Sequence, residues 1–106
     1  MKFTVAGVLL DACVLGALAK GPAYGYELTQ KTQMLLDISE SALYPVLRRL
    51  QQENLLSTYD QSYDGRNRRY YQITEDGLAV LKQYEQAWQQ YKTNIDTFLK
   101  GGKKSG

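Results

Sequence analysis

The sequence predicts a mainly α-helical domain with one small β-hairpin, in the order α-α-α-β-β-α. Apolar residues at helical spacing occupy most of the chain up to Leu56 and again after Thr74. Between these segments, strand-like residues flank Asp64-Gly65, a strong short-range signal for a hairpin. With 106 residues, the chain can form one domain with a single modest core, so we expect self-association to add stability.

Composition and charge narrow the classes of function. The chain has no histidine and one cysteine, so it cannot supply the usual zinc sites, His-based acid/base pairs, or Ser-His-Asp and Cys-His arrangements. We therefore predict no metal, no cofactor and no enzymatic activity; only tyrosine or lysine chemistry would remain, and no spacing supports it. A net charge of +2 is too small to attract polyanions over the whole surface, so a nucleic-acid site requires local clustering of cations.

The amino-terminal segment imitates a secretory signal, because Met1 and Lys2 precede a long apolar run. Asp11 interrupts that run, and the stretch from Thr4 to Ala19 is shorter than the roughly 20 apolar residues of a membrane span. We therefore expect a cytoplasmic protein without a membrane segment, and a single cysteine fits a reducing compartment. As a helix, the segment is apolar on nearly every side, which predicts burial against both the core and a partner chain.

Glycine and proline mark the end of this first helix. Gly21 suits the left-handed position after a helix, and Pro22 cannot continue one. A second, short amphipathic helix is predicted from about Tyr24 to Leu36.

A third helix is predicted from Ser39 to about Asn54, after a tight turn at Asp37 and Ile38. Ser39 is a good N-cap, and Pro45 removes one backbone hydrogen bond and predicts a bend near the helix start. That bend is either a local distortion without a role or a way to present the first turn to a groove. Two helices joined by a tight turn predict a helix-turn-helix. The residues expected to face the core are Leu43, Val46, Leu47 and Leu50.

The hairpin should pair residues from about Leu56 to Tyr63 with residues from Asn67 to Ile73. On the return strand, Tyr71 and Ile73 are expected to face the core, and Arg68 and Tyr70 the opposite side.

Cations concentrate at the tip and return strand of this hairpin. Arg66, Arg68 and Arg69 against Asp64 give a local charge of +2, which equals the net charge of the chain. A cluster of arginines like this one is often only the solvent-exposed surface of a hairpin, without a binding role. Beside a helix-turn-helix, it is better interpreted as the cationic wing of a winged helix, because guanidinium groups bind phosphate bidentately.

A long last helix is predicted from Thr74 to about Lys100, roughly 39 Å at about 1.5 Å per residue. Apolar residues recur every three or four positions along it, as in a coiled-coil seam. Only the first helix also lacks a polar face, so we prefer dimerisation through the first and last helices to an intrachain core. The predicted interface residues are Val8, Leu15, Leu81, Tyr84, Trp88, Tyr91, Ile95 and Phe98.

The predicted organisation has three parts. Residues 1–74 form the winged helix-turn-helix, with the first helix also in the dimer interface, and residues 75–100 form the dimerisation helix. Residues 101–106, GGKKSG, form a disordered tail.

Three motifs, in this order and spacing, resemble those of the PadR-like winged-helix transcriptional regulators: LGALAKGPAYGYEL, SESALYPVLRRLQQENLL and DGRNRRYYQITEDG. The resemblance extends from about Leu10 to Trp88. It implies a homodimer that binds double-stranded DNA at an inverted repeat, usually as a repressor, with the last helix crossing its partner. A short chain with a single terminal helix is similar to the family's smaller subgroup of multidrug-responsive repressors.

This resemblance, together with the predicted helix positions, gives a set of DNA-contacting residues. The first turns of the third helix would reach base edges or nearby backbone, and the wing arginines would reach phosphate or a minor groove. Tyr24 is a phosphate contact carried over from the family pattern. The full set is Tyr24, Ser39, Ser41, Ala42, Tyr44, Pro45, Arg48, Arg49, Arg66, Arg68 and Arg69.

Trp88 stands where the smaller multidrug regulators place a tryptophan that stacks planar ligands between subunits. The alternative for a lone tryptophan in an apolar stripe is a role in the core. Asp11 adds to the ligand interpretation, because a carboxylate in an apolar helix is costly unless a cationic ligand, a partner's hydroxyl or water satisfies it. The residues predicted to line such an effector site are Trp88, Tyr84, Tyr91, Asp11 and Ala12.

A second class of function stays open at this point, a winged helix used for protein contact or as a structural dimer module. Such a module would tolerate loss of the wing arginines and would not bind DNA even at low salt. An inverted repeat upstream of the gene, with half-sites one helical turn apart, favours the regulator.

Overall fold

The structure is a computed structural model that describes residues 7–101. Within that range the elements are α1 (Val8–Ala19), β1 (Ala23–Tyr24), α2 (Gly25–Leu36), α3 (Glu40–Gln52), β2 (Leu56–Tyr63), β3 (Arg66–Ile73) and α4 (Glu75–Leu99). The predicted order α-α-α-β-β-α is confirmed, with β1 as an addition. None of the described helices is both long and apolar enough to cross a membrane. The predicted disordered tail lies outside the described residues except for Gly101.

Two predicted helix starts are capped by hydroxyl side chains. Ser39 accepts a hydrogen bond from the Ala42 N–H at 3.2 Å, which confirms it as the N-cap of α3. Thr74 does the same for α4, accepting from the Gly77 N–H at 2.9 Å. The α3 helix continues through Pro45, its sixth residue, where a backbone N–H would otherwise bond the Ser41 carbonyl.

The sheet is antiparallel, with strand order β1-β3-β2. Its hairpin pairs Tyr63 with Arg66 across a two-residue loop. Asp64 and Gly65 in that loop both have positive φ, 56° and 79°, as a type I′ turn requires. The predicted hairpin and its turn are thereby confirmed.

The short strand β1 was not predicted, because two residues are too few to show an alternating pattern. Ala23 pairs with Tyr71 and Tyr24 with Tyr70, so β1 occupies the free edge of β3. Tyr24 is consequently the N-cap of α2 instead of its first helical residue.

The core is built mainly from leucines contributed by α1, α2, α3 and β2. The side chains buried there are Leu10, Val14, Leu15, Leu18, Leu28, Leu43, Leu47, Leu50, Leu56 and Tyr71. The predicted core face of α3 is confirmed, with Val46 partly buried at its margin.

One predicted interface residue is wrong. Leu15 is 0% exposed within a single chain, so it belongs to the chain's own core and cannot contact a partner. Because α1 is apolar on nearly every side, the sequence pattern cannot tell which side faces the core.

The base of α4 is fastened to the connection between α3 and β2. Thr74 donates its backbone N–H to the Leu55 carbonyl at 3.1 Å, and its hydroxyl donates to the Asn54 carbonyl at 2.8 Å. Gly77 is buried here, and a Cβ on it would lie 2.6 Å from Ile73 Cγ1 and also collide with the Leu55 carbonyl oxygen. From this anchor α4 extends away from the domain, giving a molecule of 62 × 31 × 20 Å.

Candidate nucleic-acid interface

One face of α3 is exposed and carries most of the predicted base-contacting residues. The leucines of α3 turn inward, which leaves Ser41, Ala42, Pro45 and Arg48 exposed at helical spacing. Arg48 has no ion-pair partner among residues 7–101. Ser39 is also exposed, although its hydroxyl is engaged as the N-cap and lies 3.2 Å from the Ser41 hydroxyl.

Tyr44 is directed back toward the start of α2. A Cβ on Gly25 would lie 3.2 Å from the Tyr44 hydroxyl, so this hydroxyl packs against backbone. Beside it, burial raises the pKa of the Tyr71 phenol, and the neighbouring Tyr44 raises it further. Tyr44 therefore connects α3 to α2 and the sheet, whereas the sequence predicted a contact with base edges or backbone of DNA.

A shallow depression lies between the start of α2, α3 and the wing. Among the described residues, its lining contains two arginines and no carboxylate: Tyr24, Gly25, Tyr26, Tyr44, Asn67, Arg68, Arg69 and Tyr71. Hydrogen-bond donors therefore outnumber acceptors along it, which suits an acceptor-rich anion.

Arg49 is placed differently from Arg48. Its Nη2 donates to the Asp11 Oδ1 of α1 at 2.5 Å, and its Nη1 lies 3.6 Å from the Glu53 carboxylate. The hydrogen bond to Asp11 raises the pKa of Arg49. Because its guanidinium is already paired with carboxylates, Arg49 is less available to DNA than Arg48 is, and its predicted DNA contact stays a prediction.

The wing arginines have three different surroundings. The Cζ atom of Arg68 lies 4.5 Å from the ring centroids of both Tyr24 and Tyr63. Arg69 lies on the other face of β3, with its Nε 3.6 Å from the Asp60 carboxylate. Arg66 has neither a ring nor a carboxylate partner in the described part of the chain.

Tyrosines line the outer face of the wing around Arg68. The Tyr59 and Tyr70 rings are stacked, with centroids 5.3 Å apart and planes 6° apart. Tyr24 lies 5.8 Å from Tyr70, which continues the row toward α2. Tyr59 and Tyr63 are not among the predicted site residues, although the register counted outward from the Asp64-Gly65 turn places both on the face of Arg68.

The predicted effector and dimer residues of α4 fall into two groups. Leu81 and Tyr84 are half-buried and pack on the chain's own core. Beyond them Trp88 is 40% exposed and lies 6.3 Å from Tyr91, with the ring planes inclined by 42°. The exposed apolar residues of this outer part are Trp88, Tyr91, Ile95, Phe98 and Leu99, and Val8 and Leu9 are exposed on α1.

Asp11 does not need a ligand to satisfy it. Its side chain is 8% exposed, and Arg49 of the same chain, not a cationic ligand, supplies its charged partner. Ala12 beside it is half-buried. Burial raises the pKa of Tyr84, with Asp11 as the next contribution, so this phenol lies close to the same ion pair.

Residues 14–83 match the model of the transcriptional regulator PadR-like family. The chain belongs to the PadR-like family of transcriptional regulators. It is 33% identical over 83 residues to a transcriptional regulator of Mycobacterium tuberculosis, covering 77% of this chain and 78% of the relative.

Solved structures show the same relationship for this PadR-like chain. A crystal structure from Streptococcus mutans is 34% identical, with a TM-score of 0.89 and 100% of each chain covered. A PadR-like regulator from Bacillus cereus is 33% identical, with a TM-score of 0.81 over 89% of this chain and 94% of that one. The winged-helix fold is therefore that of the family, and the coarse function is DNA-binding regulation of transcription, not catalysis.

Proposed function

We propose that this PadR-like regulator is a homodimeric repressor that acts in the cytoplasm on an inverted-repeat operator. The observation that carries the proposal is the shared surface of α3 and the wing. Arg48 on α3 and Arg68 on β3 are both without carboxylate partners among the described residues, and no carboxylate lines the depression beside the wing. Exposed small residues beside Arg48 allow α3 to approach base edges in a major groove.

The dimer is supported by the outer half of α4. Phe98 is 82% exposed, and with Trp88, Tyr91 and Ile95 it forms an apolar stripe that stays exposed within a single chain. A second copy packed on this stripe is related by two-fold symmetry. The two copies of α3 would then enter major grooves about 34 to 36 Å apart, which is why the operator is proposed to be an inverted repeat.

DNA binding is tested by titrating a fluorescent duplex from the region upstream of the gene and measuring anisotropy at several salt concentrations. Arg48→Ala should weaken binding and reduce the slope of log affinity against log salt by about one unit. Lys92→Ala, which removes an exposed charge from α4, is the matched control and should bind as the unaltered chain does. No binding at low salt by an intact dimer would favour the protein-contact or structural module instead.

A ligand that releases the DNA is a second proposal, carried by Trp88. Its exposed ring beside Tyr91 offers a stacking surface for a planar aromatic compound between two subunits. The chain has one tryptophan, so its fluorescence reports this site alone. Planar cationic dyes should quench it, saturate near one per dimer, and reduce the mobility shift of operator DNA. Absence of quenching with the dimer intact would return Trp88 to a purely structural role.

A further inference from the structure

The three wing arginines are held in different ways, and Arg68 is the one held by aromatic rings. Arg69 has Asp60 as a partner, and Arg66 has no partner in the part of the chain that the structure describes. Arg68 lies between Tyr24 and Tyr63, with its Cζ 4.5 Å from each ring centroid. It is partly buried, and no carboxylate in the described part of the chain forms an ion pair with it.

Stacking on two rings fixes the plane of a guanidinium group while leaving its N–H groups at the edge of that plane. An arginine that is already ordered loses less side-chain freedom on binding than a free one does. Arg68 is thus held in a form suited to a bidentate contact.

The two tyrosines are themselves fixed by the fold. Tyr24 pairs with Tyr70 in the sheet and donates its backbone N–H to the Glu27 carboxylate at 3.1 Å. Tyr63 is the last residue of β2 and pairs with Arg66 at the turn. Arg68 and the two tyrosine rings that contact it therefore connect the tip of the wing to the start of α2.

We propose that Tyr24 and Tyr63 are positioning residues that hold Arg68 for bidentate contact with one backbone phosphate of bound DNA. The inference rests on the proposed DNA binding. Phosphate is favoured because Arg68 keeps its charge and because no carboxylate among the described residues lines the depression to which it contributes. A phosphate contact carries no sequence information, so its loss should weaken operator and scrambled duplexes equally.

The test measures affinity and salt slope on both duplexes for substitutions at Tyr63 and Arg68. Tyr63→Leu should lower affinity about two- to fivefold, the range for an exposed cation–π contact, with an unchanged salt slope because every charge is retained. Tyr63→Phe keeps the ring and should bind like the unaltered chain. Arg68→Ala should lower both affinity and slope, and adding Tyr63→Leu to it should have no further effect.

Arg68→Lys tests the guanidinium group itself. It retains the positive charge, so the salt slope should stay the same, but affinity should fall because lysine lacks the planar fork. Far-ultraviolet circular dichroism shows whether each variant is folded, and Tyr63→Phe shows whether substitution at that position by itself weakens binding.

Three results would overturn the inference. If Tyr63→Leu binds DNA as tightly as the unaltered chain, Tyr63 does not position Arg68. The same conclusion follows if Tyr63→Leu lowers affinity equally in the unaltered chain and in the Arg68→Ala variant. A loss confined to the operator would assign Arg68 to a base edge instead of a phosphate. If the unaltered chain binds no duplex at low salt, the proposed function itself fails, and this inference with it.

Discussion

Arg49 of α3 donates to the Asp11 carboxylate of α1 at 2.5 Å, joining residues that are 38 positions apart in the sequence. Asp11 is almost fully buried, while Arg49 is 45% exposed, so the pair lies at the edge of the core. The ion pair fixes α3 to α1. Position 49 is therefore structural, and neighbouring Arg48 keeps its charge available to a ligand.

Removing Arg49 should destabilise the chain, because it leaves a buried carboxylate without its partner. We expect Arg49→Met to lower the free energy of unfolding by about 1–3 kcal/mol, the lower part of the range for buried pairs, since Arg49 is partly solvated. Urea denaturation measures this. Arg48→Met, on the exposed face of the same helix, should change the free energy of unfolding only slightly. Equal losses at the two positions would contradict a special role for Arg49.

Gly77 should not accept any larger residue. Gly77→Ala places a methyl group against the Leu55 carbonyl and 2.6 Å from Ile73 Cγ1, and overpacking of this kind costs about 1–3 kcal/mol. Gly16→Ala is the matched control, because its Cβ would meet Leu81 Cδ1 at an ordinary 3.9 Å. Alanine there should stabilise α1 by up to about 1 kcal/mol through helix propensity. The midpoint temperature of thermal unfolding should therefore fall for Gly77→Ala and rise for Gly16→Ala.

The proposed dimer should depend on the outer stripe of α4. Tyr91→Glu introduces a charge into an apolar surface and should shift the chain to monomer at micromolar concentration. Gln86→Glu adds the same charge on the opposite side of the helix and should leave the dimer intact. Sedimentation velocity distinguishes the two, and a dimeric Tyr91→Glu protein would place the interface elsewhere.

Stability should fall at alkaline pH. Burial raises the pKa of Tyr71 above its usual value of about 10, so the folded chain retains a proton that the unfolded chain has lost. The stabilisation is complete below about pH 10 and declines as the pH rises through the folded-state pKa. Tyr71→Phe should reduce this decline and leave the shares of Tyr84 and Cys13, whose pKa values burial also raises. Identical pH profiles for Tyr71→Phe and the unaltered chain would rule out a contribution from Tyr71.

Features set by local chemistry could be predicted from the sequence. Ser39 caps α3 and Asp64-Gly65 turns the hairpin because the necessary groups lie within a few residues of one another. The core face of α3 follows from spacing alone, since Leu43, Leu47 and Leu50 recur at helical intervals.

Features that depend on tertiary packing could not be predicted. The partner of Asp11 lies in another helix, and the ring of Tyr24 reaches Arg68 only because β1 joins the sheet. Leu15 was assigned to the wrong surface for a related reason, since an all-apolar helix does not indicate which side the remaining helices will cover.

The fastening of α4 at Thr74 and Gly77 has a mechanical consequence. The helix contains 25 residues and is roughly 37 Å long at about 1.5 Å per residue. Because the base of α4 is fixed to the winged domain, a change of about 5° in the angle of the helix would correspond to about 3 Å at its far end. In the proposed dimer joined through α4, one aromatic ring inserted between the two α4 helices would therefore alter the distance between the two copies of α3.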